Sequence, residues 1–236
     1  PYLPLKDRIE RTRRLYGDQQ NLLLMDNNVL ASKDLSTIIA DIRSCGFIPG
    51  AKYIEPNQYE IAIRNLRLGM NDRGYIRKCW KLLKDINEMK RLNEEVRTHI
   101  YRLREENGLL HPITCTKDAL IRTYKNFAPY FEKKYANQKG RNRYIDFNQG
   151  VDARLFTDEI VSLLAQIPVR PLRIAFDDIK TERAYTSALK MSVKYGIKDF
   201  SNYLLYNFKE KPIDLYHRMR INVDLCEELN VSIYSF

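Results

Sequence analysis

The sequence predicts an α/β fold with parallel strands, interrupted by a basic helical insertion. Short apolar runs alternate with amphipathic segments of helical length near the start of the chain and again after residue 143. Such alternation implies parallel strands joined by right-handed crossovers. Between these two parts the alternation stops and basic residues dominate. We therefore expect a first α/β part at 1–51, a basic helical insertion at 52–142 and a second α/β part at 143–236.

The first α/β part contains a helix, a strand and a second helix. Pro4–Tyr16 carries apolar residues on one side and precedes a glycine, as expected of an amphipathic helix. Residues 22–25 are a short apolar run, typical of a buried strand, and the polar sequence Asp-Asn-Asn follows at 26–28. Ser32 is a suitable cap for the next helix, and Gly46 ends the helical spacing that follows it.

The second α/β part repeats this alternation. We expect strands at 144–147, 172–176 and 203–206 and from Val231, with helices near 158–166, at 181–195 and from Pro212. Five strands are then visible, and a sixth is expected before the first helix. The predicted fold class is therefore a partial, TIM-like (β/α) barrel with parallel strands plus the α-helical insertion. A doubly wound parallel sheet is the alternative, because periodicity does not separate the two.

The insertion is predicted to be helical. Tyr75–Glu106 has apolar residues at alternating spacings of three and four, which predicts one long helix with the seam of a helical hairpin. Asn93 falls in that seam, and Lys117–Tyr135 is expected to form a second helix. Residues 52–146 hold 21 Lys and Arg against 12 Asp and Glu, a net charge of +9 in a chain whose total is +10. This local excess of positive charge needs an explanation of its own.

Basic and aromatic residues are interleaved near the end of the insertion. This pattern suits contact with the phosphates and bases of a nucleic acid. The alternative is a solvated helix face with packed aromatic rings. The candidate polyanion-binding residues are Lys133, Lys134, Lys139, Arg141 and Arg143, next to Tyr130, Phe131, Tyr135 and Tyr144.

Polar residues follow four of the predicted strands. In parallel α/β folds, ligands bind at the C-terminal ends of strands and in the loops beyond them, so these residues predict a shared polar ligand pocket. Turn formation and helix capping are the alternative explanation for Asp and Asn at such places. In strand order the residues are Asp26, Asn27 and Asn28; Asn148, Gln149, Asp152 and Arg154; Asp177 and Asp178; and Tyr206 and Asn207.

Several other classes of site are excluded. The sequence has no phosphate-binding loop, no nucleophile elbow and no GxGxxG motif. The four cysteines, at positions 45, 79, 115 and 226, lack disulfide, CxxC or zinc-ligand spacing, which fits a reducing cytoplasm. No run of about 18 apolar residues occurs, so no membrane partner is expected.

The polar strand ends belong to a series of motifs that resembles the radical S-adenosylmethionine (radical SAM) enzyme superfamily. In order, the motifs are LMDNNVL at 24–30, FNQGVDAR at 147–154, RIAFDD at 173–178, YLLYNF at 203–208, the helix at 214–230 and the strand reaching Phe236. The resemblance covers about 1–48 and 143–236 and leaves the insertion out.

The resemblance implies a partial (β/α) barrel that carries a 4Fe–4S cluster on a CxxxCxxC loop after the first strand. It implies that S-adenosylmethionine binds the cluster and is cleaved to a 5′-deoxyadenosyl radical, which takes a hydrogen atom from a substrate that the sequence does not name. The implied partners are an electron donor such as a flavodoxin or ferredoxin, and RNA or another anionic substrate suits the basic insertion.

The same resemblance implies residue roles around S-adenosylmethionine. Many relatives hold the methionyl amine with Gly-Gly-Glu, where this chain has Asp26, Asn27 and Asn28, so Asp26 or Asn27 would accept that hydrogen bond. Arg154 would pair with the methionyl carboxylate, because a guanidinium matches a carboxylate in shape. The resemblance implies contacts with ribose or substrate for Asn148, Gln149 and Asp152. It implies that the mouth of the site is lined by Asp177, Tyr206 and Asn207, and that Tyr234 supports adenine.

The chain departs from the family because it contains no CxxxCxxC motif. Its four cysteines cannot substitute at their spacing, so no metal ligand is expected in this chain. Both ends of the sequence look like cuts through a longer protein, and we expect the cluster cysteines just upstream of Pro1. The fragment alone is then expected to assemble no cluster and to be inactive. Two other hypotheses stay open, a nucleic-acid-binding module and a cluster-free barrel enzyme acting on a small anionic metabolite.

Overall fold

A computed structural model describes residues 4–25, 28–90, 92–206 and 210–236. Of the residues described, 56% are helical, and the strands are short. In chain order the elements are α1 (Leu5–Tyr16), β1 (Asn21–Leu23), α2 (Leu35–Ser44), β2 (Lys52–Tyr53), α3 (Gln58–Arg67), α4 (Asp72–Asn87), α5 (Glu94–Glu106), α6 (Lys117–Arg122), α7 (Tyr124–Ala136), β3 (Arg141–Asn142), β4 (Tyr144–Asp146), α8 (Asp158–Leu164), β5 (Leu172–Arg173), α9 (Glu182–Lys194), β6 (Asp199–Asn202), α10 (Pro212–Leu229) and β7 (Ser232–Ser235).

The chain folds into two compact units. Unit 1 comprises Pro1–Glu10, Gln19–Tyr53 and Arg141–Phe236, and unit 2 comprises Arg11–Asp18 and Ile54–Gly140. All the strands of the described residues belong to unit 1, whereas unit 2 is helical. Unit 2 holds 21 Lys and Arg against 12 Asp and Glu, a net charge of +9.

The strands of unit 1 pair mostly in parallel. β1 pairs with β4, and β6 pairs with β5 on one side and β7 on the other, all in parallel. β2 and β3 form an antiparallel pair. Helices connect the parallel strands, as the alternation in the sequence predicts.

The predicted partial TIM-like barrel with five parallel strands is wrong. The described strands form separate sheets of two, two and three strands, and none of them closes into a barrel. The ladder of β4 stops at Asp146 because Asn148 turns to a left-handed φ of 58°. Beyond it, single parallel bridges join Ile145 to Val169 and Val151 to Ile174, in place of a continuous ladder. Alternation in the sequence predicts parallel neighbours, but it does not fix how far each ladder extends.

The strand expected at 203–206 is also misplaced. The structure has β6 at Asp199–Asn202, one segment earlier. Asn202 lies in this strand with its side chain buried, and its Nδ2 donates to Tyr185 Oη at 2.7 Å and to Asn222 Oδ1 at 3.1 Å. A buried amide side chain is compatible with a core strand when it has hydrogen-bond partners, and Asn202 has partners on two helices. Hydrophobicity alone does not predict a strand at such a residue.

The apolar core of unit 1 lies between one face of the strands and the helices. Ile145, Leu172 and Phe200 are fully buried there, together with residues of α2, α8, α9 and α10. Side chains alternate between the two faces of a strand, so the neighbouring positions point away from this core. Those positions hold Asp146, Arg173 and Ser201.

Unit 2 has its own apolar core, in which Tyr59 stacks on Phe131 with ring centroids 4.2 Å apart. The single long helix expected at Tyr75–Glu106 is wrong, because α4 ends at Asn87 and α5 begins at Glu94. Asn93 does not lie in a helical seam. It caps α5, and its Oδ1 accepts a hydrogen bond from the backbone N of Val96 at 2.9 Å. The helix expected at Lys117–Tyr135 is likewise two helices, α6 and α7.

Candidate functional site

A pocket of about 440 Å³ lies beyond the C-terminal ends of β4 and β5 in unit 1. Segments that follow three strands contribute to it, and five of the polar residues predicted to form a shared ligand pocket are among them. The lining residues are Asn28, Gly150, Asp152, Ala153, Arg154, Ala175, Asp177, Asp178 and Thr181. The pocket thus brings together polar residues that follow three of the predicted strands, although the barrel that motivated the prediction is not present.

Close backbone packing shapes one wall of this pocket. A Cβ atom added at Gly150 would lie 3.3 Å from both Cβ and N of Ala175, tighter than ordinary van der Waals contact. The backbone N of Ala175 donates to the carbonyl of Val151 at 2.9 Å. Glycine at position 150 thus allows the segments after β4 and β5 to approach each other.

Asp152 and Arg154 form an ion pair at the pocket. Arg154 Nη2 donates to Asp152 Oδ2 at 2.6 Å and Nε donates to Oδ1 at 2.9 Å, while the Arg154 backbone N donates to the same Oδ1 at 2.9 Å. The hydrogen bond from the Arg154 side chain lowers the pKa of the Asp152 carboxyl. The Arg154 side chain is mostly exposed, so its terminal nitrogens remain accessible to a ligand.

Asp177 differs from its neighbour Asp178. Asp178 accepts a hydrogen bond from the backbone N of Lys180 at 2.9 Å and so serves as a turn and cap residue. Asp177 makes no hydrogen bond or ion pair with the described residues, and its carboxyl group lines the pocket. Partial loss of hydration raises the pKa of Asp177, Glu210 adds to this effect, and Arg218 opposes it. The pocket thus contains a carboxylate that is available to a ligand donor.

Arg218 of α10 fixes the loop that carries Asp177. Its side chain is fully buried, and Nη1 donates to the carbonyl oxygen of Phe176 at 2.7 Å. Nη2 donates to the carbonyl oxygen of Leu205 at 2.8 Å and to the Glu210 carboxylate at 2.9 Å. A buried, paired guanidinium that binds two loop carbonyls holds the ends of β5 and β6 in place.

Among the described residues, four other predicted ones, Asn148, Gln149, Tyr206 and Tyr234, do not line the pocket. The Asn148 backbone N donates to Asp146 Oδ1 at 2.7 Å, so the turn at this residue is held by the strand before it. Gln149 is exposed, as are Tyr206 and Tyr234. Asp26, Asn27 and Asn207 lie outside the described residues.

A second polar cluster lies on the strands, on the face that points away from the core. Arg173 Nε donates to Asp146 Oδ1 at 2.9 Å, Nη2 to Oδ2 at 2.8 Å, and Nη1 to Ser201 Oγ at 3.2 Å. Burial alone would raise the pKa of the Asp146 carboxyl, but hydrogen bonds from Arg173 and the Asn148 backbone outweigh it and lower that pKa. Sequence reasoning missed this cluster because it considered only the ends of the strands. The signal was present as one charged residue of opposite sign, Asp146 or Arg173, inside each of two otherwise apolar strand segments.

A further pocket, of about 480 Å³, lies at the opposite ends of these strands. Two of its charged groups pair with each other, since Arg170 lies 3.3 Å from Asp199 and also donates to Tyr144 Oη at 2.8 Å. This arrangement stabilises the sheet edge.

The predicted polyanion-binding residues are divided between the units. Lys133, Lys134 and Lys139 belong to unit 2, whereas Arg141 and Arg143 belong to unit 1. Arg143 is buried, with its guanidinium carbon 5.0 Å from the centre of the Phe47 ring and 5.8 Å from that of Tyr53.

The aromatic residues beside this basic set serve packing. Phe131 is fully buried, and Tyr130 and Tyr135 pack against the core of unit 2. Lys134 Nζ lies 5.5 Å from the centre of the Tyr135 ring. The Phe131 ring is therefore closed to stacking on a base, and the two tyrosine rings are partly covered.

A basic stripe that the sequence analysis did not single out lies on α4. Arg73, Arg77, Lys81 and Lys84 are all exposed, at intervals of four, four and three residues, so they share one face of the helix. Glu88 lies 3.9 Å from Lys84 at the C-terminal end of the stripe.

The cysteines of the chain do not fit a cluster. Cys45, Cys79 and Cys115 are buried, and burial raises the pKa of Cys79 to about 12 and that of Cys115 to about 11, so both are thiols near neutral pH. Among the described residues, no three His, Cys, Asp or Glu side chains come together in a way that could hold a metal ion.

No protein-family profile, curated protein or solved structure matches the chain. Among the helices of the described segments, none is both long and apolar enough to cross a membrane.

Proposed function

We propose that unit 1 binds S-adenosylmethionine in the pocket beside Asp177 and is part of a radical SAM enzyme. The observation that carries this proposal is the convergence of Asn28, Asp152, Arg154 and Asp177 in one pocket, since the motif series assigns all four to S-adenosylmethionine. The pocket volume of about 440 Å³ falls in the range of small-molecule and cofactor sites.

The pocket offers complementary groups for a ligand that carries both an amine and a carboxylate. The Asp177 carboxylate, which has no hydrogen-bond partner among the described residues, accepts hydrogen bonds from an ammonium group or from ribose hydroxyls. Arg154, held in place by Asp152, presents its exposed guanidinium to a carboxylate. Gly150 keeps the backbone segment that precedes Asp152 and Arg154 packed closely against Ala175.

These residues bind and orient S-adenosylmethionine, which supplies the reactive group when bound. The described cysteines do not fit the cluster, because Cys45, Cys79 and Cys115 are buried and burial raises the thiol pKa of Cys79 and Cys115. The substrate, the cluster and the electron donor remain parts of the hypothesis that come from the motif series alone.

Calorimetric titration of the chain with S-adenosylmethionine and with S-adenosylhomocysteine tests the proposal. We expect saturable binding of both, and a loss of about tenfold in affinity for Asp177→Asn, since one charge-assisted hydrogen bond contributes about 1.5–3 kcal/mol. Asp158→Asn is the matched control, because Asp158 is an exposed carboxylate on α8 outside the pocket. Absence of binding by the wild-type chain, or equal weakening by both variants, would refute the proposal.

A second candidate function belongs to unit 2, for which we propose binding of a polyanion such as RNA. The stripe of exposed cations on α4 supports it, together with the net charge of +9 in this unit. Residues four apart along a helix are separated by about 6 Å along its axis, so the stripe presents a regular row of positive charge.

A further inference from the structure

Arg173 and Asp146 form an ion pair on the face of the strands that points away from the core. This pair leaves some N–H groups of the Arg173 guanidinium without an acceptor among the described residues. An arginine side chain has five N–H groups. Asp146 accepts from Nε and Nη2, and Ser201 accepts from Nη1. Each terminal nitrogen therefore keeps one N–H for which the described residues provide no acceptor.

These two N–H donors of Arg173 are largely shielded from water. Its side chain is only 16% exposed, and that of Asp146 is 26% exposed. Donors that lose water without gaining an acceptor are destabilising, so an oxyanion that bridges both terminal nitrogens would stabilise the group. Asp146 holds the guanidinium from the side and thereby fixes its orientation.

Aromatic surfaces flank this guanidinium. The carbon of the Arg173 guanidinium lies 5.9 Å from the centre of the Phe236 ring, and the Tyr203 ring lies 6.1 Å from that of Phe236. Tyr234 pairs in register with Ser201 and is 58% exposed. Such rings suit the apolar or planar body of a ligand whose charged end is an oxyanion.

Arg173 also lies close to the proposed S-adenosylmethionine pocket. Ala175, two residues further along the same segment, lines that pocket. Two residues of extended chain span about 7 Å, so a ligand on Arg173 would lie beside the pocket and on the same face.

We propose that Arg173 binds the carboxylate or phosphoryl group of a small-molecule ligand on this face of the strands. Only the identification of that ligand as the substrate rests on the proposed function. The oxyanion site itself follows from Arg173, Asp146 and the aromatic residues around them.

The experiment uses benzoate and inorganic phosphate as separate probes, which distinguishes a carboxylate from a phosphoryl ligand. Ligand-detected NMR gives the affinity, and the Nε–H resonance of Arg173 in arginine-labelled chain locates the site. We expect Arg173→Lys to weaken binding about tenfold, because lysine keeps the charge but loses the two-pronged geometry.

Asp146→Asn gives a prediction of opposite sign. The amide oxygen that this substitution introduces can still accept from the guanidinium, but the negative charge that repels an oxyanion is gone, so binding should tighten about tenfold, whereas a purely structural ion pair would show no such gain. Arg220→Lys is the matched control, because Arg220 forms an exposed ion pair with Asp224 on α10 at 3.0 Å. It should leave binding unchanged.

Saturable binding of either probe with these opposite effects supports the inference. It is overturned if neither probe shifts the Arg173 resonance in wild type and Asp146→Asn, or if Arg220→Lys weakens binding as much as Arg173→Lys. Titration of the same samples with S-adenosylmethionine separates the two proposals. If S-adenosylmethionine does not bind while benzoate or phosphate does, only the proposed function is contradicted.

Discussion

Asp177 gives the proposed pocket a testable pH dependence. Reduced hydration raises the pKa of its carboxyl group, so Asp177 takes up a proton at higher pH than a free aspartate does. Only the ionised carboxylate forms a charge-assisted hydrogen bond with the ammonium group of S-adenosylmethionine. We predict that affinity is maximal above this raised pKa and falls as the pH drops through it, as measured by titration calorimetry across mildly acidic pH.

Asp177→Asn provides the comparison for this prediction. An amide does not titrate, so any pH dependence that remains in the variant belongs to the ligand or to other groups. Identical pH profiles for the two chains would show that Asp177 does not contact the ligand amine.

At the scale of single residues, the sequence predicted part of the candidate site. Asn28, Asp152 and Arg154 line the pocket together with Asp177, because polar residues after parallel strands meet at one edge. Asp178 instead fits the explanation by turn formation and helix capping, because its side chain caps a turn. Arg173 was missed, since its role depends on which face of the strand it occupies and on Asp146, which is distant in sequence.

At the scale of elements, helix α4 carries the charge that a polyanion would meet. We predict that the quadruple variant Arg73→Gln, Arg77→Gln, Lys81→Gln and Lys84→Gln weakens RNA binding and flattens its salt dependence. Each phosphate contact contributes about −0.7 to the slope of log affinity against log salt for a single strand, so the slope should fall by about 2–3 units. Fluorescence anisotropy of a labelled oligonucleotide across salt concentrations measures it.

The triple variant Lys133→Gln, Lys134→Gln and Lys139→Gln is the control for α4. These residues carry similar charge near packed aromatic rings. If this variant flattens the slope more than the α4 variant does, the charge near α7 is the binding surface. Weak, equal binding by wild type and both variants would leave the basic residues as a solvated surface.

The boundaries of the helices were predictable where capping chemistry marks them. α10 begins at Pro212, which fits the first turn of a helix, and Gly196 has a φ of 87° just after α9. The break before α5 was not predicted, because apolar spacing continues across it while Asn93 caps the new helix. The short strands were the least predictable, since their ladders depend on partners far along the chain.

At the scale of the molecule, the pairing of β2 with β3 allows a test of modularity. Tyr53 and Arg141 face each other in this antiparallel pair, so the chain leaves and re-enters unit 1 at adjacent positions. We predict that replacing residues 54–140 by Asn-Gly, which favours a two-residue hairpin turn, leaves unit 1 folded with unchanged affinity for S-adenosylmethionine. Circular dichroism and calorimetry measure the two properties.

Some local loss of helical structure is expected in that variant. Residues 11–18 belong to unit 2, where Asn65 Nδ2 donates to the Leu15 carbonyl at 2.6 Å, so the end of α1 should fray. The shortened chain carrying Asp177→Asn serves as the negative control for binding. A shortened chain without cooperative unfolding would show that unit 1 depends on residues 54–140.

The buried side chain of Arg218 has a consequence for the order in which the pocket forms during synthesis. A nascent chain that has reached Leu205 already contains β5, β6 and Asp177, but the carbonyls of Phe176 and Leu205 still lack the guanidinium that binds them. That donor arrives only when α10 has left the ribosome and docked. The strands can therefore pair before α10 emerges, whereas the ligand pocket acquires its final shape only after α10 has docked.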